Sequence, residues 1–175
     1  MCGIIGYVGK KNALSVIING LERLEYRGYD SCGVAFLKDK KIELLKESGK
    51  IENLKKQIDF SISSDLGIGH TRWATHGEPN KNNSHPHKVG RVTIVHNGII
   101  ENYIELKSDL IKVGYSFQGE TDTEVLCAYI DYLYKNNDIS YVMENIKKNV
   151  KGSYALAIIF DDKLDTVYAI KKESP

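Results

Sequence analysis

Four places in this 175-residue sequence carry residue types whose chemistry would combine: Cys2, the pair Asn97-Gly98, Arg72 and Asp122. Removal of Met1, general when the next residue is small, would leave a thiol and a free α-amine on the same residue. An α-amine titrates near 7.7–8.0 and a thiol near 8.5, to within about a unit. The amine can therefore act as the general base for its own side chain. An asparagine amide beside a glycine N–H supplies the two donors that stabilise the oxyanion of a tetrahedral intermediate. Arg72 can grip a carboxylate through two parallel hydrogen bonds. Asp122 can face an ammonium, and the two together suit an α-amino acid. Each feature also has a plainer reading. A second-residue cysteine is usually inert, Asn-Gly makes turns between strands, and an aspartate in a first helical turn complements the helix dipole.

The sequence permits other chemistry. All five histidines (70, 76, 85, 87 and 96) and the sole tryptophan, Trp73, fall between Gly67 and Asn97. His85-Pro86-His87 with His70 or His76 is a competing zinc reading, although these spacings match no standard ligand pattern. Cys32 or Cys127 paired with a histidine is another, although both cysteines read as packed core. The stretch His70–Gly77 crowds several hydrogen-bonding side chains into eight residues. Cations are 20 lysines and only four arginines, at 23, 27, 72 and 91. Where lysine is the default, a retained arginine can mark a need for a planar fork.

These residues need elements to hold them. The apolar run from Cys2 to Val8 reads as a buried strand that would fix the chain end in a sheet. Leu14, Ile17, Ile18, Leu21 and Leu24 share one helical face, with Asn12 as cap and Gly28 just past the end. Cys32–Leu37 and Ile42–Lys46 read as a hairpin, and Ile51–Ile58 as a short helix. Leu66–His70 and Val92–His96 are strands, which places Asn97-Gly98 at a strand end, and Pro79–His87 is a polar loop between them. Helices are expected from Tyr103 to Val113 (Asn102 and Glu105 as capping pair), after the capping box Thr121–Glu124, and from Ser140, read as a cap, to Val150. Tyr154–Phe160 and Thr166–Ile170 close as a hairpin. Short turns between neighbouring strands favour an antiparallel α+β layer structure over an alternating parallel one.

Composition excludes several classes. Net charge is +1, without the basic excess of a nucleic-acid binder. No apolar run approaches the ~20 residues of a membrane span, and no basic-then-apolar leader is evident. Three cysteines cannot all pair within the chain. The expected setting is a reducing cytoplasm.

Together the motifs resemble the class II, or N-terminal-nucleophile, glutamine amidotransferases. Cys2–Gly6, Leu24–Ser31, His70–Pro79, His85–His87, Val95–Asn102 and Glu120–Val125 are similar to the glutaminase domain of the glutamine–fructose-6-phosphate aminotransferases. The resemblance runs from residue 2 to the end, and it implies a four-layer αββα sandwich of two antiparallel sheets, of N-terminal-nucleophile hydrolase type. It implies attack by Cys2 on the side-chain amide of L-glutamine, an oxyanion held by Asn97 and the Gly98 N–H, and release of ammonia and then glutamate. Arg72 would bind the α-carboxylate and Asp122 the α-amine, with Thr75 and His76 lining the pocket. Trp73 would gate ammonia, and Arg27 would support the nucleophile. No cofactor or metal is implied. Cys32 and Gly119 stand where the family usually has Ala and Ser, and neither carries one of these roles. Residues 1–175 then read as a glutaminase domain cut short at its C-terminus, without the sugar-isomerase domains that would use its ammonia. A glutamine-binding module without turnover, its Met1 retained, is the alternative.

Overall fold

A computed structural model describes residues 2–28, 30–73 and 80–174. Two antiparallel four-stranded sheets stack face to face, with helices on both outer surfaces. The expected αββα layering is the observed one.

The first sheet runs β1-β4-β2-β3, formed by Gly3–Val8, Leu66–Arg72, Ser31–Lys38 and Lys41–Ser48 respectively. Helix α1, Ala13–Leu24, covers it with Leu14, Ile17, Ile18 and Leu21, all buried. Asn12 caps α1, its Oδ1 accepting from the Leu14 and Ser15 amides. A 3-10 turn at Glu25–Arg27 then brings the chain to Gly28. Helix α2 is shorter than expected, Ile51–Lys55, with Ile51 and Leu54 buried in the same layer.

The second sheet runs β5-β6-β7-β8, from His87–Val89, Val92–Ile100, Gly152–Phe160 and Lys163–Lys172. Strand β5 begins at the last residue of the expected Pro79–His87 loop and was not anticipated. It is three residues long and too polar to show a strand pattern. Helices α3 (Tyr103–Lys112), α4 (Asp122–Tyr134) and α5 (Ile139–Asn149) cover this sheet. Between the sheets, Ala35, Leu66 and Ile68 meet Val95, Ala157 and Ile159. At about 25 cal/mol per Å² of apolar surface removed from water, these three apolar interfaces supply the main drive for folding.

Two capping expectations need correction. Asn102 precedes α3 but makes no cap bond; its Oδ1 accepts from Lys151 N and its Nδ2 donates to the Asn149 carbonyl. Asp138, not Ser140, caps α5, accepting from Tyr141 N at 2.8 Å. A carboxylate two residues earlier reaches the free amides first.

Candidate active site

Strand β1 holds its first residues firmly. Gly3 pairs with Thr71 across the sheet, and its amide also donates to Thr71 Oγ1 at 3.1 Å. Cys2 is thereby set beside the end of β4. Its thiol accepts from the Trp73 amide at 3.2 Å and faces the Trp73 carbonyl at 3.7 Å. Burial pushes this thiol above its ordinary value, against the lowering effect of the Trp73 N–H. At neutral pH the thiol is protonated, so attack requires a base.

Strand β6 brings the second group from the facing sheet. It does not stop at His96 as expected but continues to Ile100, with Asn97 opposite Ala155 and Gly98 opposite Tyr154. Asn97-Gly98 is therefore no turn. Gly98 sits at φ +127°, and a Cβ there would run into the Ser153 carbonyl, so only glycine fits. The Asn97 Nδ2 donates to the Cys2 carbonyl at 3.0 Å. Its Oδ1 lies 2.8 Å from His70 Nε2.

Helix α4 supplies the third group. Thr121 caps it, Oγ1 accepting from Glu124 N at 3.2 Å. The reciprocal half of the capping box is absent, because the Glu124 carboxylate takes the Gln118 and Gly119 amides instead. Asp122 begins the helix and accepts from the Ile100 amide at 2.8 Å. Its carboxylate is thus tied to β6 two residues beyond Gly98.

Cys2, Arg72, Trp73, Gly98 and Asp122 line one pocket. Arg72 is buried and ends β4; Trp73 is 51% exposed. Arg27 contributes its backbone to the 3-10 turn; its side chain, like Thr75 and His76, lies outside the described residues. Cys2 and Asn97 also border a second cleft of about 460 Å³, walled by Ile4, Ala155, Val167 and Ala169. It is the larger, but those apolar walls offer no charge for either end of an amino acid. The polar pocket is the candidate site.

From their residue types, sequence reasoning gave the histidines a metal reading and a cysteine-partner reading, and the structure uses His70, His85, His87 and His96 otherwise. His70, His85 and His96 also line the pocket. His70 stacks on His85 with ring centroids 4.1 Å apart. His85 Nδ1 accepts from the His96 amide, and His87 Nε2 meets Thr121 Oγ1 at 3.1 Å. His96 Nδ1 lies 2.9 Å from Thr123 Oγ1, which in turn donates to Asp122. Burial lowers His70 to about 3 and holds His85 and His87 well below the usual imidazole range. Burial lowers His96 too, against the pull of Asp122. All four are neutral hydrogen-bonding groups. Their crowding into one stretch was the available signal. Gly33 makes room for this cluster, since a Cβ there would meet the His85 carbonyl. Cys32 is pushed up to about 12 and Cys127 higher still, both by burial. The Cys127 thiol donates to the His87 and Val92 carbonyls.

Residues 70–173 match the family model described as a glutamine amidotransferase domain. The whole chain is 52% identical to part of the glutamine–fructose-6-phosphate aminotransferase (isomerizing) of Clostridium tetani, and 51% identical to that of Clostridium acetobutylicum. In each case it spans only 29% of the relative's length. Among solved structures, glutamine phosphoribosylpyrophosphate amidotransferase from B. subtilis superposes with a TM-score of 0.77 at 25% identity, over 92% of this chain and 35% of that one.

Proposed function

Because the chain belongs to the glutamine amidotransferase domain family, we propose that its pocket hydrolyses L-glutamine to glutamate and ammonia through a thioester on Cys2. The supporting observation is convergence: groups from position 2, just before β1, from positions 72 and 98 on two strands, and from position 122 on a helix meet in one pocket. Arg72 pairs with the substrate α-carboxylate and Asp122 with its ammonium. This leaves the side-chain amide directed at the Cys2 thiol. The Cys2 α-amine, freed by loss of Met1, takes the thiol proton. As Sγ bonds to the amide carbon, the oxyanion is held by Asn97 Nδ2 and the Gly98 N–H. Ammonia leaves with the proton, and water hydrolyses the γ-glutamyl thioester. The family resemblance adds roles for Thr75 and His76 in glutamine binding, for Trp73 in gating the exit of ammonia and for Arg27 in supporting the nucleophile.

The similarity to fructose-6-phosphate aminotransferases, of which this chain spans 29%, supports a larger setting. Residues 1–175 then belong to the ammonia-supplying domain of a longer cytoplasmic enzyme. Sugar-isomerase domains in that enzyme would aminate fructose 6-phosphate to glucosamine 6-phosphate. Among the described residues no helix is long and apolar enough to cross a membrane.

The test uses the chain with Met1 removed, as verified by intact mass. It is expected to release glutamate and ammonia in equal amounts and to be labelled at Cys2 by a thiol-reactive glutamine analogue. Cys2→Ala should abolish both. Undiminished hydrolysis by Cys2→Ala overturns the reading. A chain that keeps Met1 should bind glutamine without turnover.

A further inference from the structure

Asn97 can serve an oxyanion only if its amide nitrogen, rather than its oxygen, faces the nucleophile. An unconstrained amide has no preference between the two, but here two neighbours decide. The Cys2 carbonyl, 3.0 Å away, can only accept, so the nitrogen faces it. That turns Oδ1 towards His70, whose Nε2 lies 2.8 Å from it. The same Nε2 is 3.0 Å from the His96 carbonyl oxygen. Both of its partners are acceptors, so Nε2 carries the proton and Nδ1 is the bare nitrogen. Nδ1 is buried with no hydrogen-bond partner among the described residues. A lone pair tolerates that position better than an N–H would. His70 is fully buried on β4, and the stacked His85 ring fixes its plane.

We propose that His70 is a positioning residue: its Nε2 proton, shared between the His96 carbonyl and Asn97 Oδ1, sets which way round the Asn97 amide lies. One N–H of Nδ2 then holds the Cys2 backbone, and the other is presented to the oxyanion. The proposal rests on the reading of Asn97 as an oxyanion donor. His70 exchanges no proton in the reaction and acts through Asn97 alone. Without its N–H, the amide can turn and set Oδ1 against the developing negative charge.

Glutamine hydrolysis and alkylation of Cys2 by iodoacetamide, which develops no oxyanion, are measured on the full chain and its variants. His70→Leu should lower kcat by about 10²-fold, with KM changed by less than about threefold. His70→Gln places an amide N–H near the position of Nε2 and should recover kcat to within about tenfold of the parent. The double variant His70→Leu with Asn97→Ala should lose no more than Asn97→Ala alone. Alkylation of Cys2 should stay within about threefold of its parent rate in the two single His70 variants. Additive losses, a loss carried by KM, or failure of His70→Gln to outperform His70→Leu overturns the proposal. Full kcat in Asn97→Ala overturns the oxyanion reading beneath it, a distinguishable failure. The ¹⁵N resonances of the parent's His70 ring are independent of how variants fold. They should show the proton on Nε2, and a proton on Nδ1 overturns the proposal.

Discussion

Gly98 joins the backbone of β6 to the chemistry of the pocket. Its φ of +127° and the Ser153 carbonyl behind it leave no place for a side chain. Gly98→Ala must either adopt a strained backbone or push β6 away from β7. Strain of this kind costs about 1–3 kcal/mol. We expect a loss of at least about 2 kcal/mol in urea unfolding. Because the proposed mechanism makes the N–H at the same position an oxyanion donor, kcat should fall well beyond what the unfolded fraction explains. A variant as stable and as active as the parent would refute both points. Sequence reasoning singled out this glycine but set it at a strand end. Asn-Gly is so common in turns that its local signal hid a continuing strand, and only pairing with Ala155 and Tyr154 across β7 distinguishes the two. His70 was hidden for a related reason. Its use depends on a carbonyl and an amide 26 and 27 residues away, and no local pattern encodes that.

Each secondary element has one or two points at which it is anchored, and these are where the residue pattern was most and least informative. Helix α1 was legible to its cap, since Asn12 and the buried stripe of Leu14, Ile17, Ile18 and Leu21 depend on spacing alone. Helix α5 was legible in its apolar face but not in its start. Ser140 and Asp138 are both acceptable caps by type, and the helix begins after Asp138, which leaves Ser140 inside it. The choice is testable. Asp138→Ala should cost about 1 kcal/mol in urea unfolding, as loss of an N-cap does, and Asp138→Asn should restore most of it. Ser140→Ala, inside the helix, should change stability by less than about 0.5 kcal/mol. Reversed magnitudes would restore Ser140 as the cap. Strand β5 had no legible pattern, because its three residues are defined by pairing with β6 rather than by alternation.

At the scale of the whole molecule, four buried imidazoles cluster beside the pocket, with His87 and His96 turned to the start of helix α4. His70 comes from the first sheet, His87 and His96 come from the second, and His85 lies between His70 and His96. His70, His85 and His87 are all lowered by burial first, then by neighbouring positive groups that include Arg72 and, for His87, Lys46. An unfolded chain carries ordinary histidines that titrate near 6.5. As pH falls through that value the unfolded state takes up protons that the folded state refuses, and stability drops. For His70 the drop continues until about 3, where the folded state also accepts a proton. Well below pH 6.5 each such histidine removes up to about 1.4 kcal/mol per pH unit. Their combined effect between pH 7.5 and 5.5 is of the order of 4 kcal/mol, large against a typical 5–15 kcal/mol of total stability. Urea midpoints should therefore fall steeply over this range, before most carboxylates titrate. His87→Asn, which removes one titrating ring, should flatten the slope by roughly a third. Midpoints that coincide at pH 7.5 and 5.5 would mean that the cluster admits protons, and with them water, in the folded state.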